Sequence, residues 1–155
     1  VVIEEPLAVM AKAAGENASG KNVAEAEVVV CGGRGLRKQD DVKLLEQLAD
    51  AVGGVVACSK PLVDAGWLEK DHLVGFSGNT VRPRVYFAVG ISGSSQHLIG
   101  MRNSDTIVAI NTDPAADIFQ VADYGIVGDL YDIVPRLTAA MRTARSGDRQ
   151  GTVCN

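Results

Sequence analysis

The sequence predicts an α/β fold: a doubly wound, mostly parallel sheet of Rossmann-like type, with helices on both faces. Three observations predict this class. Five short apolar runs recur along the chain, helical patterns lie between them, and the apolar runs are continuous rather than alternating. Continuous runs are typical of strands that helices cover on both sides. The 155 residues are enough for one domain with a sizeable core.

The five predicted strands are short and rich in valine, and each ends in a glycine or a polar residue. This pattern of β-branched runs between turn-forming residues is typical of strands. The predicted strands are Ala26–Gly32, Gly54–Ser59, Arg84–Gly90, Thr106–Asn111 and Tyr124–Asp129.

The clearest predicted helix spans residues 40–54, with acids in its first turn and Gly53 as a stop. Its apolar residues recur at helical spacing along one face. They are Val42, Leu45, Leu48, Ala49 and Val52. Residues 130–145 form the last predicted helix, which we expect Pro135 to start rather than to interrupt. Residues 61–83 are too long for a plain connection and predict a short helix plus an ordered loop.

The folded domain is predicted to span residues 26–145. Residues 1–25 are polar and contain glycine, which predicts an N-terminal arm or linker from a preceding domain that is missing here. Residues 146–155 are predicted to form a C-terminal tail. We therefore expect one folded unit with extensions on both sides.

The composition excludes several classes of partner. The net charge of −4 argues against nucleic acid or an anionic membrane surface. No apolar run approaches the roughly 18 residues of a membrane-spanning helix. Cys31, Cys58 and Cys154 have no paired or metal-ligand spacing, so no metal site is predicted. We expect Cys31 and Cys58 to be small buried residues in a reducing compartment.

Polar residues and glycines lie at or just after the carboxyl end of every predicted strand. In an open parallel sheet, ligands bind at this edge, so the pattern predicts a site for a large polar ligand. In chain order, the strand ends carry the residues Gly32 to Gly35, Ser59 and Lys60, Ser92 to His97, Asn111, and Asp129.

The loop from Ser92 to His97 has the chemistry that a diphosphate requires. Small residues, hydroxyls and free backbone amides come together where a helix is expected to begin. Arg34 and Lys60 add positive charge, and Asn111 and Asp129 suit the hydroxyls of a ribose or the edge of an adenine. Taken singly, these residues have plainer interpretations. Ser92, Ser94 or Asp129 can cap a helix, and His97 can be a structural histidine.

The pattern alone leaves the nucleotide open. The segment "GGRGLRKQ" is neither a Walker A loop nor a G-x-G-x-x-G turn. An NAD domain typically has an acid after its second strand, whereas this chain has Ser59 and Lys60. Such a pair suits the additional phosphate of NADP, so an NAD(P)-binding module of an oxidoreductase is one alternative. A nucleotide-free interaction domain is another, although the five polar strand ends count against it.

Four segments of the chain closely resemble the α subunit of electron transfer flavoprotein. They are "VVVCGGRGL", "VDAGW", "VYFAVGISGSSQHLIGMRNSDTIVAIN" and "DPAADIFQVADYGIVGDLYDIVP". The resemblance extends from about Ala26 to about Leu137. It implies the C-terminal FAD-binding domain of that subunit, with the fold of the FAD/NAD-binding domains of the deoxyhypusine synthase-like type.

The resemblance also implies a function. Members of this family pair with a β subunit as a heterodimer, carry FAD, and take electrons from flavin dehydrogenases such as acyl-CoA dehydrogenases. Some take part in electron bifurcation from NADH. The chain would thus be an electron-transport subunit and not an enzyme, and it would not insert into a membrane. It would lie in the cytoplasm of a bacterium or in the mitochondrial matrix of a eukaryote.

Several residues inherit cofactor contacts from the resemblance. Arg34 corresponds to an arginine near the phosphates, Ser77 to a hydroxyl that faces flavin N5, and His97 to a histidine beside the pyrimidine edge of the flavin. The full set of implied FAD contacts is Arg34, Ser59, Lys60, Val74, Gly75, Phe76, Ser77, Ser92, Gly93, Ser94, Ser95, Gln96, His97, Asn111, Asp129 and Leu130.

Two positions depart from the family pattern. The family usually has arginine at the position of Lys60 and glutamine at that of Phe76. Lysine is a compact, hydrated charge, whereas a planar guanidinium can lie against a ring. We therefore expect Lys60 and His97 to stabilise negative charge on the reduced flavin, and the redox potential to depend on these two departures.

Overall fold

The computed structural model describes residues 22–150, with side chains up to residue 144. Five strands form one sheet, and every neighbouring pair is parallel. The α/β class is thus confirmed, and all pairing within the described residues is parallel. The strands are β1 (Val28–Gly32), β2 (Val55–Cys58), β3 (Val85–Val89), β4 (Thr106–Asn111) and β5 (Tyr124–Val127).

The sheet order is β2-β1-β3-β4-β5. From β1 the chain moves outward to β2, and it then crosses back over β1 to begin β3 on the other side. The connections that leave β1 and β3 therefore diverge, and a crevice opens between the carboxyl ends of these two strands. Ligands of doubly wound sheets bind at such a switch point.

Within residues 22–150, four α-helices cover the two faces of the sheet. They are α1 (Val42–Val52), α2 (Lys60–Asp64), α3 (Ser95–Met101) and α4 (Leu130–Gln150). Short 3-10 turns add Val23–Glu25, Gln39–Asp41, Lys70–His72 and Asp117–Gln120.

Each face of the sheet has its own apolar core. On one face, Leu45 and Leu48 of α1 pack with Val134 and Leu137 of α4, and all four are buried. This is the apolar stripe that the helical spacing predicted for α1. On the other face, the core includes residues of α3 and of the turn before β5, among them Met101 and Ile118. The strands β1 and β3 are buried throughout, as their continuous apolar runs predicted.

The prediction that Pro135 starts the last helix is wrong. The helix α4 begins at Leu130, because Asp129 caps it: the Asp129 Oδ1 accepts a hydrogen bond from the Tyr131 amide at 2.9 Å. Pro135 therefore lies inside the helix, where its ring nitrogen has no proton to donate. The helix continues to Gln150, five residues past the predicted end at 145.

Strand β5 is the least covered strand of the sheet. Three of its four residues are exposed, among them Tyr124 and Val127, because β5 is an edge strand. The strand also ends at Val127, two residues before Asp129, because Asp129 is used to cap α4.

Most of the predicted arm lies outside the described residues, and the first half of the predicted tail, residues 146–150, is the last part of α4. Of the predicted arm, residues 22–25 are described, and Val23 is buried in the core. Cys31 and Cys58 are buried and free, as expected, and Cys154 lies outside the described part. Within residues 22–150, no helix is long and apolar enough to cross a membrane. The described side chains also form no group of three or more potential metal ligands.

Candidate functional site

Two adjoining cavities lie along the carboxyl edge of the sheet. The first has a volume of about 300 Å³ and extends from the ends of β2 and β3 to the turn at residues 74–77. The second has a volume of about 410 Å³ and extends from the end of β3 past β4 to the start of α4. Arg34 and Ser92 line both cavities, so the two form one elongated site across the switch point.

At the junction of the cavities, the glycines after β1 let two backbone segments pack closely together. The Gly33 amide donates to the Val89 carbonyl at 3.1 Å, and the Gly35 amide donates to the Gly90 carbonyl at 3.0 Å. A Cβ atom on Gly35 would lie 2.8 Å from the Gly90 Cα, which is too close for any side chain. These contacts fix Arg34, which lies between the two glycines and is exposed to both cavities.

The loop after β3 is held from two sides. The Ser92 carbonyl accepts a hydrogen bond from the Ile118 amide at 2.9 Å. Ser94 caps α3, since its Oγ accepts from the His97 amide at 3.4 Å. Between them, Gly93 has a φ of 94°, in the region that favours glycine. The plain interpretation of Ser94 as a cap is therefore confirmed, and the cap lies on the wall of the first cavity.

The turn at residues 74–77 is attached to α3. The Phe76 amide donates to the Gln96 carbonyl at 2.8 Å. Gly75 packs directly on Gly100 of α3: a Cβ on Gly100 would lie 2.5 Å from the Gly75 nitrogen. Phe76 and Ser77 are exposed at this wall, with Phe76 72% exposed. The turn thus presents an aromatic side chain and a hydroxyl at the first cavity.

The end of β2 contributes a paired lysine. Ser59 is buried, and its amide donates to the Gly32 carbonyl at 3.0 Å. Lys60 begins α2, and its Nζ lies 3.1 Å from the Asp64 Oδ1, an ion pair at i,i+4 spacing. Both side chains are more than half exposed, so the pair is weak and Lys60 can turn toward a ligand.

His97 lies in the wall of the first cavity but is only 5% exposed. Its Nε2 shares a buried hydrogen bond with the Tyr86 hydroxyl, at 2.9 Å. Its Nδ1 is buried and makes no hydrogen bond of ordinary geometry within the described residues, although the Val74 backbone lies near enough to raise the pKa of the ring. Burial lowers the pKa of His97 to about 4, against an opposing effect of the Val74 carbonyl. His97 is therefore neutral near pH 7 and offers a hydrogen bond rather than a positive charge.

Asn111 ties the ends of two strands together. Its Nδ2 donates to the Ile91 carbonyl at 2.9 Å, and its Oδ1 accepts from the Asp113 amide at 2.9 Å. The side chain still lines the second cavity, and an amide has further donor and acceptor capacity. Asn111 therefore shapes this cavity and can also face a ligand.

A cluster of Arg37, Asp41, Asp129 and Tyr131 lies at the far end of the second cavity. Arg37, Asp129 and Tyr131 line the cavity, and Asp41 accepts a hydrogen bond from the Tyr131 hydroxyl. The Arg37 guanidinium lies over the Tyr131 ring, with 4.6 Å between Cζ and the ring centroid. The Arg37 side chain is also 3.9 Å from the Asp129 Oδ2. The sequence had indicated only Asp129 here.

The structure brings nearly all of the predicted site residues together. Every predicted residue lines one or both cavities except Ser95, which occupies the first turn of α3 outside them. The set of implied FAD contacts left out several residues that line the cavities, although the strand-end pattern had already indicated Gly35. These are Pro61, Leu73 and Ile91 at the first cavity and Gly35, Arg37, Gly90, Ile110, Thr112, Gly128 and Tyr131 at the second.

Comparison with known families decides between the nucleotides. The family described as Electron transfer flavoprotein FAD-binding domain matches residues 22–102, just over half of the chain. The chain belongs to this family of FAD-binding domains. Its membership disfavours the NAD(P) alternative, and it accounts for the polar strand ends that a nucleotide-free domain would not need.

Relatives of this electron transfer flavoprotein domain come from distant organisms. The chain is 56% identical over 116 residues to the electron transfer flavoprotein subunit alpha of Thermoanaerobacterium thermosaccharolyticum. The matched region covers 75% of the chain and 35% of the relative. It is 52% identical over 120 residues to the mitochondrial alpha subunit of Dictyostelium discoideum, covering 77% and 34%. It is also 52% identical over 126 residues to Protein FixB of Azotobacter vinelandii, covering 81% and 35%. The chain spans about a third of the length of these relatives.

The side chains of the two cavities fit FAD by their own chemistry. At the junction, the Arg34 guanidinium and the Ser92 hydroxyl suit a diphosphate. In the first cavity, the Ser77 hydroxyl is exposed, and the buried Nδ1 of His97 lacks a hydrogen bond of ordinary geometry, so both can bond a polar atom of a flavin ring. In the second cavity, Asp129 suits the hydroxyls of a ribose. A dinucleotide with a ring at each end matches this arrangement.

Proposed function

We propose that this domain carries electrons on bound FAD, as part of an electron transfer flavoprotein that accepts them from flavin dehydrogenases such as acyl-CoA dehydrogenases. The observation that carries the proposal is the pair of cavities that meet at Arg34 and Ser92 on the switch point of the sheet. Family membership supports FAD as the occupant. A role in electron bifurcation is a variant of the same function.

The diphosphate is assigned to the junction, the isoalloxazine ring to the first cavity and the adenosine to the second. Arg34 and Ser92 support this assignment, since they alone among the lining residues border both cavities. The remaining predicted contacts divide accordingly. Ser59, Lys60, Val74, Gly75, Phe76, Ser77, Gly93, Ser94, Gln96 and His97 would hold the ring half, and Asn111, Asp129 and Leu130 the adenosine half.

FAD supplies the redox chemistry when it is bound, and the protein binds and orients it. The Ser77 hydroxyl and the His97 Nδ1 would satisfy polar atoms on the edges of the ring. Lys60 would place a positive charge beside the ring, where the reduced flavin gains negative charge. No group of the chain needs to act as a nucleophile or to break a bond in a substrate.

A second protein chain is expected to cover the first cavity. Phe76 is 72% exposed beside a cofactor site, and large aromatic residues at such positions are frequent in protein interfaces. The relatives are named alpha subunits, which supports a heterodimer with a β subunit. The complex would lie in the cytoplasm of a bacterium or the mitochondrial matrix of a eukaryote.

The first test is retention of FAD. The 155-residue chain, mixed with FAD and desalted, is expected to elute with the absorption spectrum of oxidised flavin. Arg34→Ala removes the charge at the junction and should weaken FAD binding roughly tenfold. Arg82→Ala, at an exposed arginine outside both cavities, is the matched control and should bind FAD like the wild type. A chain that retains no FAD, alone or with a β subunit, would contradict the proposal.

The second test concerns the reduction potential of the bound flavin. Lys60→Ala should make the potential more negative by roughly 20 mV, because an exposed charge contributes about 1 kcal/mol to a two-electron couple. Asp64→Asn removes the carboxylate that faces the Lys60 amine and should shift the potential in the opposite direction. Spectroelectrochemical titration measures both shifts. Equal potentials in the two variants would contradict the placement of Lys60 beside the flavin ring.

A further inference from the structure

Arg37 lines the second cavity. It is largely exposed to solvent, but its position is fixed by contacts with Tyr131. The side chain of Arg37 is 73% exposed, yet Tyr131 contacts both the side chain and the backbone of this residue. The guanidinium lies over the Tyr131 ring, and the Arg37 amide donates to the Tyr131 hydroxyl at 2.7 Å. A solvated surface arginine needs neither contact.

Tyr131 is in turn fixed by Asp41. The Tyr131 hydroxyl donates a hydrogen bond to the Asp41 Oδ2, and the same oxygen accepts one from the Lys38 amide at 3.2 Å. The bond from Tyr131 is the main reason that the pKa of Asp41 is lowered. These bonds connect the segment after β1 to the first turn of α4. They fix the backbone that carries Arg37 at the edge of the second cavity.

The charges around Arg37 favour a neutral ring over a phosphate. The Asp129 carboxylate lies 3.9 Å from the guanidinium, offsets part of its charge and repels an anion. The guanidinium already packs one face on Tyr131, and its large exposure leaves the other face open. A flat, cationic face of this kind stacks well on a nucleobase.

We infer that Arg37, stacked on Tyr131, forms the wall against which the adenine of the dinucleotide packs. Arg37 is then a specificity-determining residue for the adenosine half. The Tyr131 hydroxyl and Asp41 are positioning groups, because they act through Arg37. This inference rests on the proposed function, since it takes the second cavity to hold the adenosine of FAD.

The test separates the two halves of the cofactor. ADP and FMN are titrated separately into the 155-residue chain by calorimetry. Arg37→Ala should weaken ADP binding roughly fivefold and leave FMN binding unchanged. Arg37→Lys keeps the charge but loses the flat face, and it should weaken ADP binding nearly as much. Tyr131→Phe keeps the ring but loses both hydrogen bonds, and it should have an intermediate effect.

Arg136→Ala is the matched control. Arg136 is exposed, lies on α4 outside both cavities, and pairs with Asp132 at 3.3 Å, so its loss should change neither titration. If Arg37→Ala binds ADP with wild-type affinity, and binds FAD in a separate measurement, the inference is overturned and the proposed function is left intact. Wild-type affinity in Arg37→Lys would assign the effect to charge and overturn the stacking. A wild-type chain that binds neither FAD, FMN nor ADP, alone or with a β subunit, would overturn both proposals.

Discussion

Gly93→Ala is expected to lower the free energy of unfolding by about 3 kcal/mol or more. Two costs combine at this position. The φ of 94° is strained for any residue with a Cβ atom. The added Cβ would also lie 2.4 Å from the nitrogen and 2.7 Å from the Cα of Ile118. Ile118 is fully buried and its amide is bonded to Ser92, so this backbone cannot retreat without opening the core.

Gly66→Ala separates the two costs. Gly66 has a similar φ of 78°, but nothing lies within 4 Å of the position of its Cβ. This variant should lose only about 1 kcal/mol, the cost of the backbone conformation alone. Urea denaturation followed by circular dichroism measures both. Equal losses would mean that the turn at Ile118 yields freely, and the loop after β3 would then not be held as described.

The second large effect is a pH dependence that originates at His97. Its folded-state pKa is about 4, below the ordinary value of 6.5, because the ring is buried. Between these values the unfolded chain binds a proton that the folded chain does not, so folding becomes less favourable as the pH falls. Above pH 6.5 His97 does not lower the free energy of unfolding, and the full loss is reached below about pH 4. It amounts to about 3 kcal/mol.

The measurement is the free energy of unfolding of wild type and His97→Gln over this pH range. The wild type should lose about 3 kcal/mol more than the variant on acidification, because glutamine does not titrate. Tyr86→Phe removes the 2.9 Å hydrogen bond but leaves the ring buried, so it should keep most of the pH dependence. A difference between wild type and His97→Gln that does not vary with pH would contradict the assignment.

The sheet was predictable because each strand is a short, continuous apolar run followed by glycine or polar residues. β4 was predicted with both bounds correct. The errors lie where one side chain changes an element boundary. Asp129 follows the last strand and caps α4. Both an aspartate cap and a proline indicate a helix start, and here the helix starts at the cap and not at Pro135.

The site was predictable to the extent that it follows strand ends. The rule that ligands bind at the carboxyl edge places Arg34, Ser92 and Asn111 together without knowledge of any distance. It says nothing about Arg37 and Tyr131, which are 94 positions apart and meet because α4 packs beside the loop after β1. The protonation of His97 was also beyond the sequence, since it depends on how deeply the ring is buried.

The contact between Gly75 and Gly100 makes the turn at residues 74–77 and the helix α3 one mechanical unit. Ser77 and His97, which are 20 positions apart in the sequence, therefore keep their relative places even if the unit as a whole shifts. A substitution that tilts α3 would displace the groups on both sides of the first cavity together. For protein engineering, the consequence is that this pair is best transplanted as a block, from Leu73 to Met101, rather than residue by residue.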